Sequence, residues 1–308
     1  MTSVAETAGR ARARTEVRRR RARRLTRRLP FLLLLLVIIV YIGFPFYWAL
    51  RSAFTPENSL FNTPVQWFPT HPTLSNFRGA LSSGNFTRAL LNSAIVATTV
   101  SLIALAVGSL AGYALGRFNF RGRSMSLYLM LSMTIFPQIA ILGALYTIVN
   151  HRFSLWFVHF QMFDTLWSLI FSYMVLVVPL TVWILTTFMR ALPRDLEEAA
   201  YVDGATPFQV FYKVMLPLIA PGLVTAGLLA FITAWQEFLY ALSFTETARH
   251  HTVTVAITEF TSGKGNTFQQ PWGQIMAATV IVTVPLVVLT LALQRRILAG
   301  LTAGAVKG

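Results

Sequence analysis

The 308-residue sequence contains no cysteine. A disulfide scaffold and a cysteine-ligated zinc site are therefore excluded. Charge is scarce as well: Asp, Glu, Lys and Arg together make up 12% of the chain, about half of the ~25% usual in a soluble domain. Acidic side chains are the rarest part of that small total, 11 against 26 Lys and Arg. Apolar residues take their place. Hydrophobic types reach 55% and mean hydropathy is +0.59. Disorder needs low hydrophobicity, so it is excluded for the bulk of the chain. The composition predicts a polytopic helical membrane protein in which lipid serves as the apolar phase.

The formal net charge of +15 resembles a nucleic-acid signature, but its distribution argues otherwise. Residues 1–29 hold 11 Arg and 2 Glu, and an apolar run follows directly. That arrangement predicts a disordered cytoplasmic arm that sets topology and can touch anionic lipid. No nucleic-acid partner is expected.

Apolar segments long enough to cross about 30 Å of hydrocarbon lie near residues 30–50, 89–116, 125–149, 166–189, 218–241 and 274–294. The first is too long for a signal-peptide core and lacks a small-residue cleavage site, so it reads as an uncleaved helix. With the N-terminus inside, 20 of the 26 basic residues fall on the cytoplasmic side, which places both termini there. Trp48, Trp167 and Trp272 fall at outer span ends, where amphipathic indoles concentrate. The outer segments are then 51–88, 150–165 and 242–273, and they contain all five histidines. His250 and His251 are adjacent without a carboxylate at helical spacing, so solvated loop histidines are a better reading than a metal site.

Pro137, Pro179, Pro221 and Pro285 are expected to interrupt four spans and free backbone carbonyls inside a bundle or cavity. Gly108, Gly112 and Gly116 share one helix face, which predicts close packing against another helix of the same chain. Trp235, Gln236 and Glu237 are candidate pathway residues. An intramembrane carboxylate suggests an ion or substrate path, but Glu237 is near enough to a span end to reach water instead.

The cytoplasmic loop 190–217 is the most informative segment. Pro193 suits a first helical turn, and Asp195, Glu197 and Glu198 complement a helix N-terminus. Gly204 suits a left-handed stop, and Thr206, Pro207 and Gln209 form a capping box that starts a second helix. Pro217 marks the start of the fifth span. Leu196, Ala199, Ala200 and Asp203 make a mostly apolar stripe, while Phe208, Phe211 and Tyr212 make an aromatic face. A helical hairpin capping the bundle and a docking surface fit these faces equally well.

Glu198-Ala199-Ala200, then Gly204, Val214 and Leu216-Pro217, resembles the EAA loop of importer-type ABC transporter permeases, with Val214 where the motif commonly has Ile. The segment from Gln294 to Gly308 resembles the tail of the maltose/trehalose-type carbohydrate importer permeases, the MalG-like subunit. This resemblance covers most of residues 30–308.

It implies an all-α membrane fold with six transmembrane helices of the type I importer permease kind, in a prokaryotic cytoplasmic membrane. Residues 1–29 form the arm, 30–300 the transmembrane domain, and 301–308 a tail toward the ATPase. The implied ATPase-coupling residues are Glu197, Glu198, Ala199, Ala200, Asp203, Gly204, Phe208, Leu216 and Pro217. The tail would contact the ATPase through Thr302, Ala303, Gly304 and Lys307. Gly263, Asn266, Gln269 and Gln270 would lie in a loop that meets a sugar-binding protein.

The implied partners are a homologous permease subunit, two ATPase subunits, an extracytoplasmic sugar-binding protein and the lipid bilayer. ATP and Mg would be held by the ATPase subunits, with no cofactor in this chain. Its one Gly-Lys pair, Gly263-Lys264, has Thr258 where a phosphate-binding loop needs glycine. The function implied is sugar import by alternating access, with maltose, maltodextrin and trehalose as candidate substrates. An ion-coupled secondary transporter is the rival reading; it would use Glu237 or another carboxylate and leaves loop 190–217 unexplained. No nucleophile–base pair or paired carboxylates in the spans point to an enzyme.

Overall fold

The Leu- and Ile-rich run behind the arginine arm forms helix α1 (Pro30–Phe54), about 37 Å long at 1.5 Å per residue. None of its most apolar stretch is covered by the rest of the chain. The computed structural model describes residues 28, 30–155, 158–262 and 270–305. Most of the arginine arm lies outside them. The segment after α1 contains a short 3₁₀ turn at Glu57–Ser59 and helix α2 (Ser75–Ser82).

Two long helices form the centre. Helix α3 (Gly84–Arg117) packs along α6 (Leu166–Ala191), and the glycine stripe is the reason. A Cβ at Gly108 would stand 2.7 Å from Thr181 Cγ2, one at Gly112 3.1 Å from the Thr186 backbone nitrogen, and one at Gly116 2.8 Å from Met189 Cβ. The expectation of close packing within the chain is met.

The third expected span is broken. Arg123–Ile135 (α4) and Gln138–Asn150 (α5) meet at 100°. Pro137 forces its predecessor out of the helical region, and Phe136 and Pro137 are both extended, with ψ of 132° and 127°. A two-stranded antiparallel hairpin follows, β1 (Arg152–Leu155) with β2 (Val158–Gln161), in register Arg152↔Gln161. This is a small departure from an all-helical chain.

After α6 come α7 (Asp195–Val202) and α8 (Pro207–Leu218). Helix α8 widens to a π-helix over Val210–Met215, just before Pro217, whose ring crowds the carbonyl four residues back. The chain then turns by 76° into α9 (Ala220–Trp235). Pro221 lies in the first turn of α9 and does not interrupt it, because a first turn needs no N–H from that position. Pro179 and Pro285 also leave their helices continuous. Of the four prolines expected to interrupt spans, Pro137 sits at the 100° break and Pro221 just after the 76° turn. The fifth span is shorter than expected: it ends at Trp235, and a separate helix α10 (Leu239–Phe244) follows. Helix α11 (Val253–Ser262) lies in the next loop, and α12 (Trp272–Ala305) runs through residues expected to form a tail. Among the described residues, four helices are long and apolar enough to cross a membrane, and the two bent pairs bring the total to six if each counts as one span.

One core cluster joins α3, α6, α9 and α10 through Val96, Val100, Leu169, Tyr173, Trp235 and Phe244. A second lies at the other end of α3 and α6, under α7 and α8, and includes Tyr113, Leu185, Met189, Phe211 and Met215.

Candidate functional site

Loop 190–217 folds as its local signals require. Helix α7 begins at Asp195, with Asp195, Glu197 and Glu198 in its first turn. Pro193 lies ahead of the helix instead of inside its first turn. Gly204 has φ of +80°. The Ala205 N–H donates to the Ala200 carbonyl and the Gly204 N–H to that of Tyr201, each at 3.0 Å. This six-to-one and five-to-two pair closes the helix, and glycine takes the left-handed position without steric cost. The capping box is complete: the Thr206 N–H donates to Gln209 Oε1 at 2.8 Å, and the Gln209 N–H donates to Thr206 Oγ1 at 3.3 Å.

The hairpin has an outer and an inner side. Glu198, Ala199, Asp203 and Gly204 are exposed, as is Leu196. Val202 is 87% exposed and Phe208 66%. The expected aromatic face is divided: Phe208 and Tyr212 point outward, while Phe211 is buried with its ring centroid 5.3 Å from that of Tyr113. Ala200, Ala205 and Leu216 rest on the second core cluster, and Pro217 is exposed. The tip of the loop thus exposes apolar side chains while its inner side is anchored on the second core cluster.

Glu197 faces inward. Its carboxylate lies 2.5 Å from Arg117 Nε at the end of α3, with the two side chains 13% and 4% exposed. The contact is a close ion pair without the alignment of a hydrogen bond. Burial pushes the Glu197 carboxyl above its ordinary range, against the pull of Arg117 and Arg194. Arg117 Nη2 also donates to the Pro193 carbonyl at 3.4 Å. Two more arginines close the end of α3. Arg123 donates to the Leu115 and Gly116 carbonyls at 2.7 and 2.9 Å, and Arg190 to that of Leu115 at 3.3 Å. Cations there complement the negative end of the helix dipole. Sequence reasoning counted Arg117 only as an inside marker; its partner is 80 residues away, and no local pattern connects them.

The other expected site residues lie elsewhere. Trp235 is buried and donates from Nε1 to the Val282 carbonyl at 3.2 Å. Gln236 is exposed. Glu237 is 6% exposed, so it does not reach out to water. Its two carboxylate oxygens accept the N–H groups of Tyr240 and Ala241 at 2.9 and 3.1 Å, which caps α10. Thr302, Ala303 and Gly304 fall on the last turns of α12, and Lys307 lies outside the described residues. Gly263, Asn266 and Gln269 also lie outside them. Gln270 is half-buried, and its carbonyl accepts the Trp272 N–H at 2.8 Å.

At the opposite end of the bundle, distant segments are tied by polar contacts. Asn92 Nδ2 donates to the Arg249 and His251 carbonyls at 2.8 and 2.9 Å, and Ser93 Oγ accepts the Val253 N–H at 2.8 Å. Asp164, at φ of 55°, accepts the backbone N–H groups of Glu246 and Thr247 and the Thr247 hydroxyl. Partial burial opposes its charge, but those bonds hold the carboxyl below its ordinary range. His250 pairs with Asp164 and His251 with Glu259, so the adjacent histidines serve two separate carboxylates.

The family model for binding-protein-dependent transport system inner membrane components matches residues 104–302. The chain is 38% identical over 275 residues to the trehalose transport system permease protein SugB of Mycobacterium tuberculosis, covering 89% of this chain and 96% of that one. It is 39% identical over 267 residues to the trehalose/maltose transport system permease protein MalG of Thermococcus litoralis, covering 86% and 91%. A solved bacterial ABC transporter involved in import of the acidic polysaccharide alginate shares the fold, with a TM-score of 0.73 at 16% identity over 87% of this chain and 95% of that one. The expected resemblance to importer permeases is thereby met, and the chain belongs to the family of binding-protein-dependent transport system inner membrane components.

Proposed function

We propose that this chain is one half of the membrane pathway of a carbohydrate importer, and that its α7–α8 hairpin docks on an ATPase subunit. Membership of the family makes the chain a membrane permease component, with ATP hydrolysis on a separate subunit. The exposed tip of the hairpin supports the docking reading: Val202 and Phe208 stand in solvent, while Glu197, Ala200 and Phe211 fasten the same hairpin to the spans. The hairpin is thus both accessible and anchored, as a coupling element needs to be. It faces the cytoplasm in this reading, and ATP and Mg lie on two ATPase subunits.

The substrate class is argued from relatives. Several permeases at 34–39% identity carry names for trehalose, maltose, sulfoquinovosyl glycerol or diacetylchitobiose transport. We assign a glycoside of the maltose or trehalose class, delivered by an extracytoplasmic binding protein. Helix α1 supports a second permease as partner, because an apolar helix left uncovered by its own chain faces lipid or another subunit. The tail residues Thr302, Ala303, Gly304 and Lys307 and the loop residues Gly263, Asn266, Gln269 and Gln270 keep their proposed ATPase and binding-protein contacts. Trp235, Gln236 and Glu237 remain pathway candidates, with the Glu237 carboxylate engaged by the Tyr240 and Ala241 N–H groups.

The test is reconstitution of the complex with its ATPase subunits and binding protein. Val202→Asp with Phe208→Asp is expected to lower ATPase-subunit co-purification at least tenfold while this chain still accumulates in the membrane. Unchanged co-purification, or uptake that survives ATPase inactivation and collapses with the ion gradient, would overturn the proposal.

A further inference from the structure

We infer that the Arg117–Glu197 ion pair is the joint that makes α3 and α6 follow α7, and that both residues act as positioning residues in coupling. The inference rests on the docking reading of the α7–α8 hairpin.

Helix α7 sits on the bundle through two kinds of contact. Ala200, and Ala205 just beyond the end of α7, rest on the apolar cluster around Tyr113 and Met215. Apolar contact is non-directional, so it resists lifting but opposes sliding weakly. The ion pair behaves differently. Arg117 is the last residue of α3, and its side chain is 4% exposed. Its guanidinium is also held by the Pro193 carbonyl, which comes just before α7. Sliding α7 along its bed would separate opposite charges in surroundings with little water, where separation costs more than at a surface. Movement of α7 is therefore passed to the end of α3.

From there it reaches α6, because the backbones interlock along Gly108, Gly112 and Gly116. Neighbouring carboxylates on α7 divide the work. Glu198 is exposed on the outer side, and Glu197 points inward to Arg117. The nearby Arg123 and Arg190 are bonded to carbonyls at the end of α3, which leaves Arg117 as the guanidinium paired with α7.

The experiment exploits the absence of native cysteine in this chain. Thr187→Cys or Arg121→Cys, both exposed at this end of the bundle, gives this chain a single thiol within the assembled transporter. Its alkylation by a maleimide is followed on this chain with and without ATP and vanadate. The parent thiol chains are expected to change rate on trapping; if neither does, the docking reading itself fails. The key variant is the apolar pair Arg117→Met with Glu197→Leu, which removes both charges and leaves neither buried alone. It is expected to keep ATPase-subunit co-purification within twofold of the parent and to lose at least fivefold of the ATP-dependent rate change. A rate change kept within twofold would overturn the joint. As a second arm, Arg117→Glu with Glu197→Arg should recover more of the rate change than either single substitution. No recovery would equally overturn it.

Discussion

A side chain on residue 204 would meet open space, so the φ of +80° alone opposes one. Gly204→Ala is therefore expected to cost the end of α7 about 1–2 kcal/mol, with no clash to relieve. Amide exchange at Gly204 and Ala205, whose N–H groups close the helix, should speed up about tenfold, since each 1.4 kcal/mol is a factor of ten. Unchanged exchange would contradict the assignment of this turn. Signals of this kind were legible because they are local. The capping box of Thr206 and Gln209 and the stop at Gly204 each depend on a few neighbouring residues, and each formed as read. Glu237 is harder to read, since a carboxylate near a span end is equally suited to a path or to water. Its carboxylate turned back onto the N–H groups of Tyr240 and Ala241, a role that depends on the chain breaking at residue 236. No sequence period marks that break.

The glycine stripe of α3 operates at the scale of whole helices. Gly112 lies closest to a backbone atom, 3.1 Å from the Thr186 nitrogen for a virtual Cβ. Gly112→Leu should force α3 and α6 apart, with a loss of about 1–3 kcal/mol or more from overpacking. A lower thermal midpoint in detergent, with normal membrane insertion, is the expected result. A midpoint equal to the parent would show that the helices do not depend on this contact. The stripe was legible because four-residue spacing puts small residues on one face. The proline breaks were only half legible. Pro137 announced an interruption, but the 100° turn arises from two successive extended residues. Proline in a first turn, as at Pro221, reads the same in sequence as proline in a span centre unless the helix start is known.

The whole molecule has two differently constructed ends. One is held by long-range polar contacts, such as those of Asn92 and Asp164; the other carries the α7–α8 hairpin. None of these long-range contacts could be read from the chain, because their partners are 82 to 160 residues apart. Asp164→Ala should remove three hydrogen bonds and the left-handed preference at that position, freeing segment 244–250. Faster amide exchange at Glu246 and Thr247 checks this, and parent-like exchange would refute it. The pH dependence has a definite sign. The folded carboxyl of Asp164 titrates below its ordinary value of 3.8. Its contribution is fully present above that value and is lost as pH falls through the lower folded value. Protection of the two amides should therefore fail on acidification and hold at neutral pH.

Helix α3 runs from one end to the other, packed along α6, and its length has a mechanical consequence. On α3, Asn92 and Ser93 lie at the pinned end and Arg117 at the other. Twenty-five residues at 1.5 Å each separate Asn92 from Arg117, a lever arm of about 37 Å. On that arm, a tilt of about five degrees sweeps the Arg117 end through about 3 Å, close to the rise of two helical residues. A rotation of that size about the Asn92 end would therefore displace the Arg117 end by about the size of a side-chain contact.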